Sequence, residues 1–322
     1  MELLFETFER EPGADPALRW HALWFLAQLQ DGAGLTDSRA DTLRRLVEIG
    51  DEIAIPELRT RARYQYARYQ RSVGDLLAAH INAAAALAIA EGEAAGSLDT
   101  VRALLVLLSV EAESGRLAEA DTRASRLADL LDDLPGTVRA EALWTLATLR
   151  VRQGRHALAA ELLDQAIGAV ASGSDLLLWM RLRLASASLH LQMNPRVPSE
   201  AMKRLVEVSP AVELVGTAVH KQEHLALRAR AAYHNGDLEE ARLCCEEMGP
   251  DSAHLPFRDR LRYQALVAQL RLHDGDRTAV ADLERLARQA ESAGNTELAS
   301  ELWRLLAEAL ARSEASRPTI DT

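Results

Sequence analysis

Two cysteines, Cys244 and Cys245, occur in 322 residues. Adjacent helix positions point apart, so a disulfide framework or a cysteine metal knot is not expected, which fits a reducing cytosol. Lysine is scarcer than its charge class suggests. Lys203 and Lys221 leave 35 of the 37 basic residues (37 − 2) as arginine, so the basic groups are planar, bidentate donors rather than mobile ammonium groups. Aromatics supply 4% of the chain against 48% hydrophobic residues, which leaves most packing to Ala and Leu, both strong helix formers. No eighteen-residue apolar run appears, so no membrane-spanning helix is expected. Met1 leads into acidic rather than basic and apolar residues, unlike a secretion signal. The net charge of −11 speaks against direct nucleic-acid binding, which needs a basic surface. Gly-x-x-x-x-Gly-Lys-Ser/Thr and Gly-x-Ser-x-Gly are both missing, removing the phosphate loop and the nucleophile elbow.

What the chain has is a ruler. Gly74-Asp75, Gly115-Arg116, Gly154-Arg155, Gly236-Asp237 and Gly275-Asp276 are spaced by 41, 39, 82 and 39 residues, a period of about 40 with one beat unmarked. Seven residues before each Gly stand Ala67, Leu108, Ala147, Ala229 and Ala268, and five after stand Ala79, Ala120, Ala159, Ala241 and Val280. Small residues at those registers let a helix before the Gly approach a helix after it, and the Gly supplies the left-handed residue that ends the first helix. The silent beat falls at Asn194-Pro195, where Asn takes the turn position, with Ala187 seven residues before it and Ala201 after. This makes it a candidate kink. An upstream beat lies at Gly32-Ala33-Gly34, with Ala27 seven before Gly34.

The count predicts seven helix pairs and a final capping helix over roughly 296–313, carrying Leu298, Leu302, Leu305 and Leu306. A short leading helix is expected at Leu3, Leu4, Phe5 and Phe8. The chain reads as one solenoid over 1–314 with a frayed C-terminal tail at 315–322.

The segments Ser114-Gly115-Arg116-Leu117-Ala118-Glu119-Ala120, Gln153-Gly154-Arg155-His156-Ala157-Leu158-Ala159 and Asn235-Gly236-Asp237-Leu238-Glu239-Glu240-Ala241-Arg242 resemble the tetratricopeptide repeat, which has small residues at the same two registers. The period is longer than the usual 34, and Leu mostly replaces the family's early aromatic. Such long, degenerate repeats are similar to the sensor regions of bacterial, actinobacterial-type transcription regulators. The repeats start almost at Met1, so the DNA-binding domain of those regulators is not expected here. The resemblance implies an all-α, right-handed superhelical α-solenoid whose first helices line a concave surface.

The nearest metal-like feature is His220-Lys221-Gln222-Glu223-His224. A zinc protease helix needs Glu directly after its first His, so a solvated helix face is the better reading and no metal or other cofactor is expected. His190, His234 and His273 fall near first-helix ends, where a cation suits the helix dipole. Cys245 sits at a second-helix register that other repeats fill with Leu163 or Ala124, and so reads as core, with Cys244 more exposed. The pairs Asp132-Asp133 and Glu246-Glu247 read as solvated faces rather than catalytic dyads.

By the resemblance, lining positions precede each Gly by about thirteen, ten, six, three and two residues. That register collects Trp24, then Arg61, Tyr64, Arg68 and Arg71, then Arg102, Trp144, Arg152, Arg181, Arg230, Tyr233 and Arg262. A basic, aromatic-dotted groove in an acidic protein would concentrate anionic groups of a protein or peptide partner. The competing reading is ordinary ion pairing with neighbouring acids. The expected function is a non-enzymatic, regulatory protein- or peptide-binding module. A self-associating scaffold joined through its end helices is the alternative, and a metal-dependent enzyme a minor one.

Overall fold

The computed structural model describes residues 15–93, 97–170, 175–193, 195–249 and 252–315. Among them lie fifteen α-helices and no strand. In order these are α1 (Pro16–Ala33), α2 (Thr36–Ile53), α3 (Pro56–Val73), α4 (Leu76–Glu93), α5 (Leu98–Glu113), α6 (Leu117–Leu130), α7 (Gly136–Arg152) and α8 (His156–Gly168). They continue with α9 (Leu176–Gln192), α10 (Pro198–Val215), α11 (Ala218–Asn235), α12 (Leu238–Met248), α13 (Phe257–His273), α14 (Ala279–Ser292) and α15 (Thr296–Ala315). The first fourteen form seven successive pairs and α15 follows alone, as the period predicts. The expected leading helix, the Asn194 turn residue and positions 316–322 of the expected tail lie outside the described residues.

The repeated Gly-Asp dipeptide explains how one helix stops and the next starts within three residues. Gly74 has φ 93°. Its N–H donates to the Arg71 carbonyl at 3.2 Å and the Asp75 N–H to the Gln70 carbonyl at 2.9 Å, which closes α3 with a left-handed cap. The Asp75 carboxylate then accepts the Ala78 N–H at 3.0 Å and opens α4 as an N-cap. Asp237 repeats the device, accepting the Glu240 N–H at 3.1 Å.

The small-residue registers are where the helices of a pair meet. Ala67, Leu108, Ala147, Ala229 and Ala268 are buried, as are Ala79, Ala120, Ala159 and Ala241. The last repeat departs from the ruler: Ala279 is buried where Val280 was expected, and Val280 is only partly covered. The start of α14 accounts for this. Its first amides bond three residues back, Val280 N–H to the Arg277 carbonyl at 3.3 Å and Ala281 N–H to the Thr278 carbonyl at 3.1 Å. That tighter winding reaches the buried face one residue early.

Two compact units emerge, one from Met1–Glu111 with Ala118–Leu131, the other from Ala112–Leu117 with Asp132–Thr322. In the first, Trp20, Leu23 and Ala27 of α1 pack with Leu43 and Leu46 of α2 and Leu58 and Ala62 of α3. In the second, the first helices α7, α9, α11 and α13 adjoin one another in sequence order, and α15 continues that layer beside α13. The stripe Leu298, Leu302, Leu305 and Leu306 is buried there with Leu261, Leu283 and Leu286. It is therefore spent on packing. At the silent beat α9 ends without a Gly turn. Met193 is extended (φ −63°, ψ 160°), and the Val197 N–H returns to the His190 carbonyl at 3.1 Å. The wider turn carries Arg196.

Gly115 and Gly154 separate two costs of substitution. Both have positive φ, 76° and 72°, but a Cβ at Gly115 would collide with Thr296 Oγ1 whereas one at Gly154 meets nothing. Gly154→Ala should cost about 1–2 kcal/mol for the left-handed backbone alone. Gly115→Ala should cost more than that and also loosen α15. Urea denaturation of the two variants checks the order.

Candidate functional site

In the first unit, the dense arginine cluster of α3 is largely matched by acids. Arg59 lies 3.1 Å from Asp51, and Arg63 pairs with the same carboxylate. Arg61 contacts Asp99 at 2.8 Å, and Arg102 approaches that residue at 3.9 Å. Tyr64 is buried, and that burial raises its phenol pKa. Arg68 is exposed and reaches Gln65 at 3.5 Å, while Arg71 is half-buried and also engaged. Trp24 stacks on Trp20 with ring centroids 5.2 Å apart. Helical spacing gathers the arginines of α3, but Asp51 and Asp99 give three of them, Arg59, Arg61 and Arg63, partners, and Arg102 of α5 shares Asp99.

In the second unit, three of the expected lining arginines enter a buried network. Arg152 lies 3.8 Å from Glu113 and 3.6 Å from Glu297. Arg258 contacts Glu113 at 2.9 Å and also pairs with Glu297. Arg262 reaches Glu301 at 2.8 Å and Glu297 at 3.5 Å. Arg230 approaches Glu301 at 3.7 Å. Burial, reinforced by Arg258, holds Arg152 down to about 10. Burial, with Arg262 adding to it, does the same to Arg230. Burial alone would raise Glu297, but Arg258, Arg152 and Arg262 hold its carboxyl well below the usual range. Arg152, Arg230 and Arg262 are thus not open donors awaiting a ligand. They bind the first turns of α15, because a desolvated guanidinium needs a carboxylate.

Arg181 and Trp144 meet each other. The Arg181 guanidinium lies over the Trp144 ring, 5.8 Å from its centroid, joining α7 and α9 by a cation–π contact. Tyr233 meets His273 edge-on at 6.4 Å. Glu223 on α11 is pushed up to about 8 by burial and by Asp259, with Arg181 opposing.

Beside this layer lies a cleft of about 300 Å³ lined by Leu191, Gln192, Arg196, Glu297, Ser300, Glu301 and Arg304. Arg230, His234, Arg262 and Gln269 line the small adjoining space beneath it. His234 is not the helix-end cation expected from its position. Burial, then Arg196 and Arg230, depress its pKa to about 3, so it is neutral at physiological pH. Arg196 and Arg304 were not legible as site residues. Arg196 falls in the disrupted turn, and Arg304 lies on the capping helix, outside the lining register.

The histidine pair also has local uses. Thr217 N–H and Oγ1 contact His220 Nδ1 at 3.2 and 2.9 Å, capping α11. His224 Nε2 donates to the Leu205 carbonyl at 3.1 Å. Among the described residues no group of three His, Cys, Asp or Glu side chains is arranged to hold a metal. The cysteine assignment reverses. Cys244 is the buried one, packed with Ala229, Ala241 and Leu270, and burial pushes its thiol up to about 12. Cys245 is half-buried at the edge of that cluster and of the one around Met248 and Tyr263.

No protein-family model matches the chain, and no curated protein matches it. Solved structures do resemble it. A Rap protein complexed with competence and sporulation factor aligns with a TM-score of 0.60 at 13% identity, over 98% of this chain and 81% of that one. A tetratricopeptide repeat protein from Parabacteroides merdae ATCC 43184 aligns with a TM-score of 0.49 at 18% identity, over 89% and 98% respectively. At 13% identity the likeness to the Rap protein is one of fold, an all-α stack of helix pairs.

Two measurements probe the charged interior. Glu297→Gln leaves buried guanidinium groups short of a counter-charge and should cost about 3–5 kcal/mol in denaturant titrations at pH 7. Glu223 has the opposite sign. Its folded pKa lies above the unfolded value, so its ionisation erodes stability as pH rises from about 4.5 to about 8. Glu223→Gln should therefore be more stable than wild type at pH 9 and lose that advantage at pH 4.5, as read from thermal midpoints across pH.

Proposed function

We propose that the chain is a non-enzymatic, regulatory binding module that holds an extended protein or peptide segment against the first-helix layer of its second unit. The observation that carries this reading is the Arg181–Trp144 pair. Arg181 has no carboxylate in ion-pair contact among the described residues, and the two side chains together offer an aromatic surface and a bidentate donor. Thr148, Ser188, Gln192 and Tyr233 extend the same layer as half-buried groups that can take up main-chain hydrogen bonds. A uniformly basic groove is not part of this reading, since Arg152, Arg230 and Arg262 already serve Glu113, Glu297 and Glu301. The Rap protein of the same fold, solved with competence and sporulation factor, is consistent with a regulatory role.

Site-specific photo-crosslinking in the native host tests the assignment. A photoreactive residue at Arg181 should trap a partner segment, whereas one at the exposed Leu243 on second helix α12 should trap little. Adducts at Leu243 and none at Arg181 would move the interface to the second-helix face.

A further inference from the structure

Charge in the cleft between the α9–α10 turn and α15 is unevenly matched. His234, on the floor, is surrounded by Arg196, Arg230 and Arg304, with Glu301 as the one carboxylate among the charges acting on it most. Glu301 is itself shared, since it pairs with Arg262 at 2.8 Å as well as with Arg230 at 3.7 Å. Among the described residues neither Arg196 nor Arg304 has a carboxylate in ion-pair contact. Two guanidinium groups from different elements thus face one open cleft whose own carboxylates, Glu297 and Glu301, are already engaged by Arg152, Arg258, Arg262 and Arg230. That space is about 300 Å³, at the small end of ligand pockets, and suits a single side chain or chain end.

We propose that this cleft is a carboxylate-recognition subsite, in which Arg196 and Arg304 clamp the carboxylate of a peptide segment above Arg230. The proposal rests on the reading that the first-helix layer holds such a segment. The chemistry favours a monoanion: two forks without an ion-pair partner can each take one or both carboxylate oxygens, while Glu297 and Glu301 in the same lining penalise a dianion more heavily. Neutral His234 and the Ser300 hydroxyl add hydrogen-bonding groups that bring no further charge. The carboxylate comes either from an acidic side chain or from a chain terminus.

Calorimetric titration with short capped peptides decides this, with the His234 imidazole resonance as a local reporter. The probes are a capped, amidated Leu-Glu-Leu, its Leu-Gln-Leu counterpart, and Leu-Gln-Leu with a free terminal carboxylate. At least one carboxylate peptide should bind saturably, shift His234, and exceed the fully amidated Gln peptide by about tenfold or more, as charge-assisted bonds imply. Which carboxylate form wins identifies the source. Arg196→Gln/Arg304→Gln should lose that advantage, and Arg304→Lys should recover part of it. Equal affinity for acid and amide, an unchanged double variant, or full competition by equimolar inorganic phosphate would overturn the subsite. Carboxylate binding in the cleft without crosslinks at Arg181 would sink the segment-binding reading alone. Crosslinks with an indifferent cleft would sink the subsite alone.

Discussion

Everything in this molecule depends on how closely two helices can approach on either side of a left-handed turn. Alanine at nearly every facing register, Leu108 excepted, brings the backbones close together, and the repeated glycine lets the chain reverse in one or two residues. That contact fixes the inclination of each pair and therefore which residues of the first helices face one another in a layer. Aromatics are not needed for it, which is why a chain with so few can still bury an extended core. Where the contact is disturbed the consequences are local and readable. The overwound start of α14 moves the buried position by one residue, and the missing glycine after α9 opens a wider turn.

A second constraint is electrostatic. Layers of first helices rich in arginine would repel one another if left alone, and burying several guanidinium groups is expensive without acids at hand. The second unit answers with Glu113 at the end of α5 and Glu297 and Glu301 at the start of α15. These three carboxylates convert a repulsive row into a cohesive one. Arg181 over its tryptophan, and Arg196 and Arg304 at the cleft, stay outside this network.

The architecture was largely legible because it is written in local periodicity. Gly74, Gly115, Gly154, Gly236 and Gly275 mark turns whatever surrounds them, and buried Ala at fixed distances follows from helix geometry. The site was less legible because pairing is non-local. Nothing near Arg61 in the chain announces Asp99, and nothing near Arg152 announces Glu297. The lining register could not say which charges were already satisfied. Cys244 and Cys245 show the same limit on a smaller scale: a one-residue difference in helix phase decided which was buried, and that phase was set by packing against two separate apolar clusters.

In an ordinary stack each repeat touches its neighbours and no others, so stability accumulates unit by unit and repeats can be gained or lost one at a time. The second unit departs from that rule. Glu297 on α15 ties to Arg152 on α7 and to Arg258 on α13, bridging helices that three intervening pairs separate in sequence. Such a tie makes folding of the unit all-or-none rather than graded along its length. It also locks the number of repeats, because adding or deleting one pair between α7 and α15 would leave Glu297 out of register with Arg152 or with its partners on α13. The length of this segment is thus held by a buried charge rather than by the repeat that generated it.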